Sequence, residues 1–249
     1  MEYIGEHFDT VELNGSFYSL QRPSSYQSWY DATPDGFVYA VKGGRFITHL
    51  KRLRDVEVPL ANFFASGVLL LREKLGPVLW QLPARTTFDA ALVRDFLDLL
   101  PRTSTDLAEL ARRHDDKGRG RVHVEAEVRR PVRHAFEVRH PSFVTDEFFA
   151  LLEERDMACV VADSPRRWPE VDVPTTDFTY VRLHGHSRLY TSGYSARSLD
   201  GWAERCRGWV ERGDVFCYFD NDARGRAPHD ALGLADRLGV RKMESMPAR

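Results

Sequence analysis

Short β-rich runs alternate with longer helical patterns along most of the chain, and this alternation constrains the fold more than any other feature. Each run is rich in Val, Ile, Leu, Phe or Tyr and is bounded by polar or turn residues, as buried strands are. The predicted strands are Thr10–Asn14, Phe37–Lys42, Pro77–Leu82, His134–Arg139, Met157–Ala162, Tyr180–His184 and Val215–Phe219. Alternating strands and helices indicate parallel βα units, which build a barrel or a doubly wound sheet. The chain has 249 residues, about the length of one β/α barrel.

Apolar residues with helical spacing fill the gaps between these runs. The predicted helices are Phe88–Leu100, Thr145–Arg155, Leu199–Arg212 and Pro228–Leu238. Two threonines before the first of them are candidate caps, and Thr145 with the acids after it suits the positive end of a helix dipole. The first strand is not followed by G-x-G-x-x-G, which disfavours a dinucleotide-binding sheet. Because no linker divides the chain, we expect a single domain over residues 1–249.

Charge and cysteine content exclude several classes of protein. The chain has 35 Lys and Arg against 37 Asp and Glu, a net charge of −2, so it lacks the basic excess of a dedicated nucleic-acid domain. Its apolar runs are far shorter than the roughly 20 residues that span a bilayer, and its first residues lack a signal-peptide pattern. Cys159, Cys206 and Cys217 show no C-x-x-C spacing and fit reduced thiols. The sequence therefore predicts a cytoplasmic protein without a membrane partner.

The segment Arg112–Arg133 interrupts the rhythm of strands and helices with a dense mixture of charges. Mixed signs are typical of a solvated helix end and a surface loop, and this is the simpler interpretation of a charged insertion at about 112–133. The alternative interpretation is a basic flap that covers a polyanionic ligand.

Polar side chains stand where the predicted strands end, at positions that an apolar core does not favour. In a β/α barrel, the carboxyl ends of the strands and the loops after them face the active-site mouth. The polar residues at these strand ends include Glu12, Asn14, Lys42, Gln81, Glu137, Arg139, Asp163, Arg182, His184, Asp220 and Asn221, and His49 lies in the loop after the second strand. Three pairs among them are two residues apart, so strand alternation directs the members of each pair to one face. These pairs are Glu12 with Asn14, Glu137 with Arg139, and Arg182 with His184.

These residue types suit acid/base chemistry on an anionic ligand. His184 is the preferred proton donor or acceptor because histidine titrates near neutral pH, and Glu137 and Glu12 are the candidate catalytic carboxylates. Lys42, Arg139 and Arg182 are candidate anion holders, since clustered cations favour an anionic group. The alternative is a neutralised structural network in which these charges only compensate one another.

Acids at several strand ends also raise the possibility of a metal site. Carboxylate and imidazole side chains bind divalent cations, and the candidate ligands are Glu12, Glu137, Asp163, His184 and Asp222. The chain contains no H-E-x-x-H motif, and its one H-x-H spacing is His184-Gly185-His186. The sequence therefore assigns no metal and no cofactor, although a divalent metal stays a hypothesis.

Motifs spread along the chain in order resemble those of one known family. They include Phe8-Asp9-Thr10-Val11-Glu12-Leu13-Asn14-Gly15-Ser16-Phe17-Tyr18, Phe37-Val38-Tyr39-Ala40-Val41-Lys42, Gly76-Pro77-Val78-Leu79-Trp80-Gln81-Leu82-Pro83, Glu137-Val138-Arg139-His140-Pro141-Ser142-Phe143, Tyr180-Val181-Arg182-Leu183-His184-Gly185 and Tyr218-Phe219-Asp220-Asn221-Asp222. The chain resembles the YecE-like family, known as domain of unknown function 72, over nearly its whole length.

The resemblance implies a TIM-like barrel that is loosely related to sugar isomerases, with no established reaction. It also implies that the candidate mouth residues are Glu12, Asn14, Lys42, His49, Gln81, Glu137, Arg139, Arg182, His184 and Asn221. Family members usually begin with a further strand, which is absent here, so we count seven strands where a closed barrel needs eight. We expect a barrel that lacks its first strand, in an N-terminally shortened version of a longer protein.

The leading functional hypothesis is an enzyme that acts on a small polar ligand, sugar-like or phosphorylated, at the barrel mouth. A second hypothesis is a metal-dependent phosphodiesterase, in which Arg112–Arg133 contacts a nucleic-acid backbone. A third is a binding protein without catalysis.

Overall fold

The structure is a computed structural model that describes residues 1–116 and 121–240. Within these residues, strands form at every position where the sequence predicts them. Among these residues the strands are β1 Thr10–Leu13, β2 Val38–Lys42, β3 Leu75–Gln81, β4 His134–Glu137, β5 Ala158–Cys159, β6 Val161–Asp163, β7 Thr179–Leu183 and β8 Val215–Phe219. The single run predicted over Met157–Ala162 is divided at Val160 into β5 and β6. The pairs β1·β2, β2·β3, β6·β7 and β7·β8 are all parallel. The structure confirms an α/β fold with parallel sheets.

Helices connect these strands. They are α1 Glu2–His7, α2 Gly15–Tyr18, α3 Pro23–Asp31, α4 Glu57–Ala65, α5 Ala90–Asp98, α6 Ser104–Ala111, α7 Asp146–Glu153, α8 Ala196–Val210 and α9 Ala227–Leu238. Thr145 caps α7 as predicted, because its side chain accepts a hydrogen bond from the amide of Phe148. The predicted threonine cap of α5 is wrong: Asp89 accepts from the amide of Leu92. Within the described part of the chain, none of the helices has the length and apolar character that a bilayer crossing requires.

The described residues divide into two units. The first comprises Met1–Gly5 and Asp9–Phe136, and the second comprises Glu6–Phe8 and the described residues from Glu137 onward. The expectation of one domain over residues 1–249 stays a prediction. In the charged segment, Lys117, Gly118, Arg119 and Gly120 lie outside the described residues.

The first unit is built around the buried indole of Trp80 on β3. The strands lie in the order β1-β2-β3-β4, and Trp80 is fully buried among Phe63 and Phe64 of α4 and Phe96 of α5. Gly43 follows β2 directly above this ring, where an added Cβ would lie 2.3 Å from Cε3 of Trp80. Only glycine permits this close approach of the backbone.

His134 completes this core with a polar contact that sequence reasoning did not identify. The indole Nε1 of Trp80 donates to Nδ1 of His134 over 3.1 Å, which fixes the proton of the neutral ring on Nε2. That nitrogen donates to the carbonyl of Pro101 over 2.8 Å. Burial lowers the pKa of His134 to about 4, against the raising effect of the Pro101 hydrogen bond. The ring is therefore neutral in the folded protein at physiological pH.

Acidification is expected to destabilise the protein through His134. The unfolded chain binds a proton at this residue below about pH 6.5, whereas the folded chain does so only near pH 4. Between these values the free energy of unfolding falls by about 3 kcal/mol from this residue. A His134→Gln variant keeps an acceptor for Trp80 but has no titrating ring. Urea titrations from pH 7 to pH 4 are expected to show a smaller acid-induced loss in this variant than in the wild type, and equal losses would contradict this assignment.

The second unit has β6-β7-β8 as a parallel sheet with α8 and α9 on one face. Val181 and Leu183 of β7 and Val215, Cys217 and Phe219 of β8 pack against these helices. Because strand residues alternate between faces, the residues between them point to the opposite face. That face carries Tyr180, whose ring centroid lies 5.1 Å from that of Tyr218, and Arg182, which is directly opposite Tyr218 in the register. The candidate site of this unit lies on the same face.

Candidate functional site

Five polar residues form one connected cluster in the second unit, hereafter the Glu137 network. It consists of Glu137, Arg139, Arg182, His184 and Asp220. Glu137 is the last residue of β4, Arg182 lies in β7, and His184 and Asp220 each follow directly on a strand. The network therefore assembles at the carboxyl ends of strands, where sequence analysis predicted the mouth residues.

Glu137 is the centre of this network. Its Oε1 accepts from Nε of Arg139 over 2.6 Å, and its Oε2 accepts from Nη1 of Arg182 over 2.5 Å. Glu137, Arg182 and His184 have fully buried side chains. A buried carboxylate is costly unless it is paired, and here each of its oxygens has a guanidinium partner.

Asp220 connects His184 to Arg182. Its Oδ2 lies 3.0 Å from Nδ1 of His184 and 3.1 Å from Nη2 of Arg182. A carboxylate can only accept, so Nδ1 of the imidazole carries a proton and donates to Asp220. This contact fixes the ring so that Nε2 points away from Asp220, toward Oε1 of Glu137 at 3.5 Å. The arrangement resembles other carboxylate-oriented histidines, in which the distal nitrogen exchanges the proton.

Aromatic rings enclose the exposed side of the network. The guanidinium carbon of Arg139 lies 3.6 Å from the ring centroid of Trp168, a cation–π contact. Trp168 and Tyr190 both pack edge-on against the His184 ring, with centroids 5.4 and 5.6 Å away. The backbone amide of Tyr190 also donates to the carbonyl of His184 over 2.5 Å. Arg139, 12% exposed, and Asp220, 23% exposed, are the members of the network that solvent reaches.

The charges of the network set the protonation of its members. Burial alone would raise the pKa of Glu137, but Arg139, Arg182 and His184 together hold it well below its usual range. Burial alone would lower the pKa of His184, but the charge of Glu137 and the hydrogen bond to Asp220 outweigh it and the pKa lies above its ordinary value. The folded protein therefore favours an ionised Glu137 and a protonated His184.

Removing the Asp220 charge is expected to lower the pKa of His184. An Asp220→Asn variant keeps the size of the side chain but loses the carboxylate that favours the imidazolium. NMR titration of the histidine ring signals measures this pKa directly, with Asp200→Asn on the exposed surface of α8 as the control. An unchanged pKa in Asp220→Asn would show that this contact does not govern protonation.

One atom of the network stands out because it is buried without a hydrogen bond. Among the described residues, Nε2 of His184 is one of four buried side-chain atoms that lack a hydrogen-bond partner, together with Tyr26 Oη, Thr86 Oγ1 and Asn221 Oδ1. Leaving such a group unsatisfied costs about 1 to 3 kcal/mol. An imidazolium nitrogen in this state is suited to donate a hydrogen bond or a proton to a bound molecule.

The first unit contains a separate group of candidate mouth residues around Phe17. Nζ of Lys42 lies 4.5 Å from the centroid of the Phe17 ring, and the ring of His49 packs edge-on against it at 5.1 Å. Nε2 of His49 lies 3.4 Å from Nε2 of Gln81, and its Nδ1 lies 2.9 Å from the hydroxyl of Thr48. His49 belongs to a π-helical turn, Phe46–Leu50. Such turns are frequent at functional sites.

Other candidate mouth residues are placed differently from the sequence-based expectation. β1 ends at Leu13, and Asn14 has helical backbone angles at the start of α2, so strand alternation does not align it with the half-buried Glu12. Asn221 is fully buried, and its Nδ2 donates to Oδ2 of Asp230 over 2.7 Å and to the carbonyl of Ser192 over 2.9 Å. These contacts tie the loop before α8 to α9.

The described residues do not assemble the predicted metal ligands. Within residues 1–116 and 121–240, no group of three or more His, Cys, Asp or Glu side chains has an arrangement that could hold a metal ion. Both oxygens of Glu137 already accept hydrogen bonds from guanidinium groups, whose positive charges oppose a nearby cation. The donor set around Glu137 therefore does not fit a divalent metal.

Sequence reasoning assigned no role to three residues in or around the network. Asp220 lies two residues after Tyr218 of β8, so strand alternation predicts that it shares a face with Tyr218 and Arg182. Tyr190 lies in the irregular segment between β7 and α8. Trp168 lies in an irregular stretch between β6 and β7, and no sequence pattern indicates its position.

Comparison with known proteins agrees with the motif resemblance. The model of the family described as "Protein of unknown function DUF72" matches residues 1–249. Over 104 residues the chain is 32% identical to the UPF0759 protein YecE of Escherichia coli strain K12, a match that covers 41% of this chain and only 37% of that protein.

Solved structures of DUF72 family proteins have the same fold. One from Enterococcus faecalis V583 aligns with a TM-score of 0.78 at 16% identity, over 100% of this chain and 91% of that chain. One from Thermotoga maritima MSB8 aligns with a TM-score of 0.71 at 24% identity, over 93% of this chain and 85% of that chain. At these identities the similarity establishes the fold alone.

Proposed function

We propose a function for this chain from the premise that it belongs to the DUF72 family of proteins of unknown function. The proposal is an enzyme of TIM-like barrel type that binds a small polar ligand with an anionic group, sugar-like or phosphorylated, at the carboxyl ends of its strands. The parallel strands and the connecting helices support this barrel type. The Glu137 network supplies the chemistry.

The observation that carries the proposal is Nε2 of His184, which lies 3.5 Å from its ion-pair partner, Oε1 of Glu137, and forms no hydrogen bond of ordinary geometry. It is buried, its ring is held by Asp220, and its environment raises the pKa of the imidazole. A purely structural histidine satisfies both ring nitrogens, as His134 does in the first unit. In the proposal, Nε2 of His184 donates a proton to a ligand atom that replaces the missing hydrogen-bond partner.

The cations of the network favour an anionic ligand. With His184 protonated, three positive groups face the two carboxylates of Glu137 and Asp220, which leaves one positive charge. Arg139 is the guanidinium best placed to bind the anionic group of a ligand. Arg182 is fully buried between Glu137 and Asp220, whereas Arg139 is in part exposed. Arginine binds phosphate and carboxylate groups through several hydrogen bonds at once.

Glu137 has a positioning role in this proposal. Its pKa lies well below the usual range and both of its oxygens accept from arginines, so it is poorly suited to deliver or remove a proton near neutral pH. It orients Arg139 and favours the protonated form of His184. The alternative function, a binding protein without catalysis, shares this geometry and differs only in the role of His184.

A thermal-shift and calorimetric screen tests the proposal. The wild type is mixed with inorganic phosphate, ribose 5-phosphate and glucose 6-phosphate, with neutral ribose and glucose as controls. We expect a phosphorylated compound to raise the melting temperature and to bind about 10- to 100-fold more weakly to an Arg139→Met variant, since a charge-assisted hydrogen bond is worth about 1.5 to 3 kcal/mol. Arg212→Met on the exposed surface is the matched control. Equal binding by the wild type and Arg139→Met, or stabilisation by none of the anions, contradicts the proposal.

A further inference from the structure

Two aromatic rings enclose the proposed proton donor of the Glu137 network. Nε2 of His184 is buried, and the rings of Trp168 and Tyr190 pack edge-on against the imidazole. Trp168 also lies against the guanidinium of Arg139, 3.6 Å from ring centroid to guanidinium carbon. A ligand that contacts both Nε2 of His184 and Arg139 therefore requires one of these rings to move.

The segment that carries Tyr190 is held by hydrogen bonds to the ends of β7 and β8. The amide of Tyr190 donates to the carbonyl of His184, and its carbonyl accepts from the amide of Ala223 over 3.3 Å. Two residues later, the carbonyl of Ser192 accepts from Nδ2 of the fully buried Asn221 over 2.9 Å. Because moving this segment would leave these groups without partners, Tyr190 is the fixed side of the site.

The segment that carries Trp168 is held differently. Residues 165–170, hereafter the Trp168 lid, are half-buried or exposed and lie between two buried residues, Ser164 and Val171, each 5% exposed. Among the described residues, the backbone hydrogen bonds of the lid run to Ser164 at its own base. The amides of Arg167 and Trp168 donate to the carbonyl and the hydroxyl of Ser164 over 2.9 and 3.0 Å. The lid can therefore open without breaking a bond of a strand or a helix.

An arginine of α8 joins the lid to the rest of the unit. Nη1 of Arg205 lies 2.6 Å from Oε1 of Glu170, the last residue of the lid, and Nη2 lies 3.1 Å from Oδ2 of Asp172. Asp172 is also held by α8, because its Oδ1 accepts from Nε1 of Trp209 over 3.1 Å. The guanidinium of Arg205 stacks on Trp202, 4.3 Å from the ring centroid, which orients it toward the two carboxylates.

We propose that the Trp168 lid opens and closes over the Glu137 network and that the Glu170–Arg205 ion pair, hereafter the latch, holds it closed. The inference rests on the proposed function, because the lid regulates access of the ligand to His184 and Arg139. Arg205 lies outside the network and is a positioning residue that acts through Trp168. The latch residues are 48% and 32% exposed, so salt screens their attraction. Rising ionic strength therefore increases the open fraction of the lid.

Hydrogen exchange of the full chain without ligand, followed by mass spectrometry, tests the latch. The amides of Arg167 and Trp168 exchange when the lid opens. In about 0.1 M NaCl we expect Arg205→Met to raise the exchange rate of the lid peptide about 3- to 10-fold, the size expected for exposed ion pairs. Arg197→Met, on the exposed surface of α8, is the control that leaves the rate unchanged. In about 1 M NaCl the wild-type rate is expected to approach that of Arg205→Met.

A second variant distinguishes the latch from a general loosening of α8. Glu170→Gln removes the partner on the lid and leaves α8 intact, and we expect it also to raise the exchange rate of the lid peptide. Added to Arg205→Met, it is expected to have no further effect, because the ion pair is already broken.

Chemical modification of His184 tests whether the open lid exposes the network. Diethyl pyrocarbonate modifies accessible imidazoles, and peptide mapping measures the rate at each histidine. We expect Arg205→Met to raise the rate at His184 about 3- to 10-fold, in step with lid exchange. The rate at His229, exposed on α9, is expected to stay the same.

Three results overturn the inference. They are unchanged lid exchange in both Arg205→Met and Glu170→Gln, an equal rise of exchange in the peptides of α8 and β8, and faster lid exchange without faster modification of His184. None of these measurements includes a ligand. Their failure therefore leaves the proposed function standing, and a ligand screen without a hit leaves the latch standing.

Discussion

The Glu137→Gln variant is expected to lower the free energy of unfolding by about 3 to 5 kcal/mol. The wild-type carboxylate is fully buried and accepts hydrogen bonds from Arg139 and Arg182. A neutral amide of the same size leaves these two guanidinium charges with less compensation in a buried environment. Urea unfolding followed by tryptophan fluorescence measures the loss.

Two further variants make this test specific. Glu204→Gln removes a carboxylate from the exposed surface of α8 and is expected to change the free energy of unfolding by less than about 0.5 kcal/mol. In an Arg182→Met background, we expect Glu137→Gln to lower the free energy of unfolding by less than it does in the wild type, because the Arg182 charge that Glu137 compensates is already absent. A loss below about 1 kcal/mol in Glu137→Gln alone would show that the network does not stabilise the fold.

Replacing His184 by glutamine is expected to lower turnover by about 10²- to 10⁴-fold for any compound of the screen that the protein converts, the range attributed to a positioned general acid. Glutamine can still contact Asp220 but cannot deliver a proton from Nε2. The wild-type rate is also expected to decline as the pH rises through the raised pKa of His184, because the imidazolium is the active form.

The behaviour of His184→Gln distinguishes the proposed enzyme from a binding protein without catalysis. Binding that persists while turnover is lost supports the proton donor, provided that the unfolding transition of His184→Gln is still cooperative. Unchanged turnover in a folded variant excludes the catalytic role of His184. His140→Gln is the control, because His140 caps a short turn through Ser142 and lies outside the Glu137 network.

The sequence predicted the elements of this fold and, at the ends of its strands, Glu137, Arg139, Arg182 and His184 of the Glu137 network. Apolar runs located the strands of the described residues, with β5 and β6 in a single run, because strands buried between helices need continuous Val, Ile, Leu and Phe. The two-residue spacing of Arg182 and His184 correctly indicated that both side chains share a face, since both contact Glu137 and Asp220. Strand periodicity held at His184 even though β7 ends one residue earlier, at Leu183.

The first strand ends one residue earlier than predicted. Asn14 has helical backbone angles at the start of α2, so strand alternation does not set the direction of its side chain, and its alignment with Glu12 stays a prediction. Contacts between distant segments were also beyond sequence reasoning. The stacking of Arg139 on Trp168 and the pairing of Trp80 with His134 depend on tertiary packing that no local pattern encodes.

The central claim is that His184 Nε2 is left open for a ligand, and a high-resolution crystal structure tests it most directly. The crystal would contain the compound that stabilises the protein most in the screen. The account predicts a ligand oxygen within hydrogen-bond distance of Nε2 of His184, about 2.6 to 3.2 Å, and an anionic group against Arg139. A ligand bound elsewhere, with Nε2 of His184 satisfied by Glu137 alone, would contradict it.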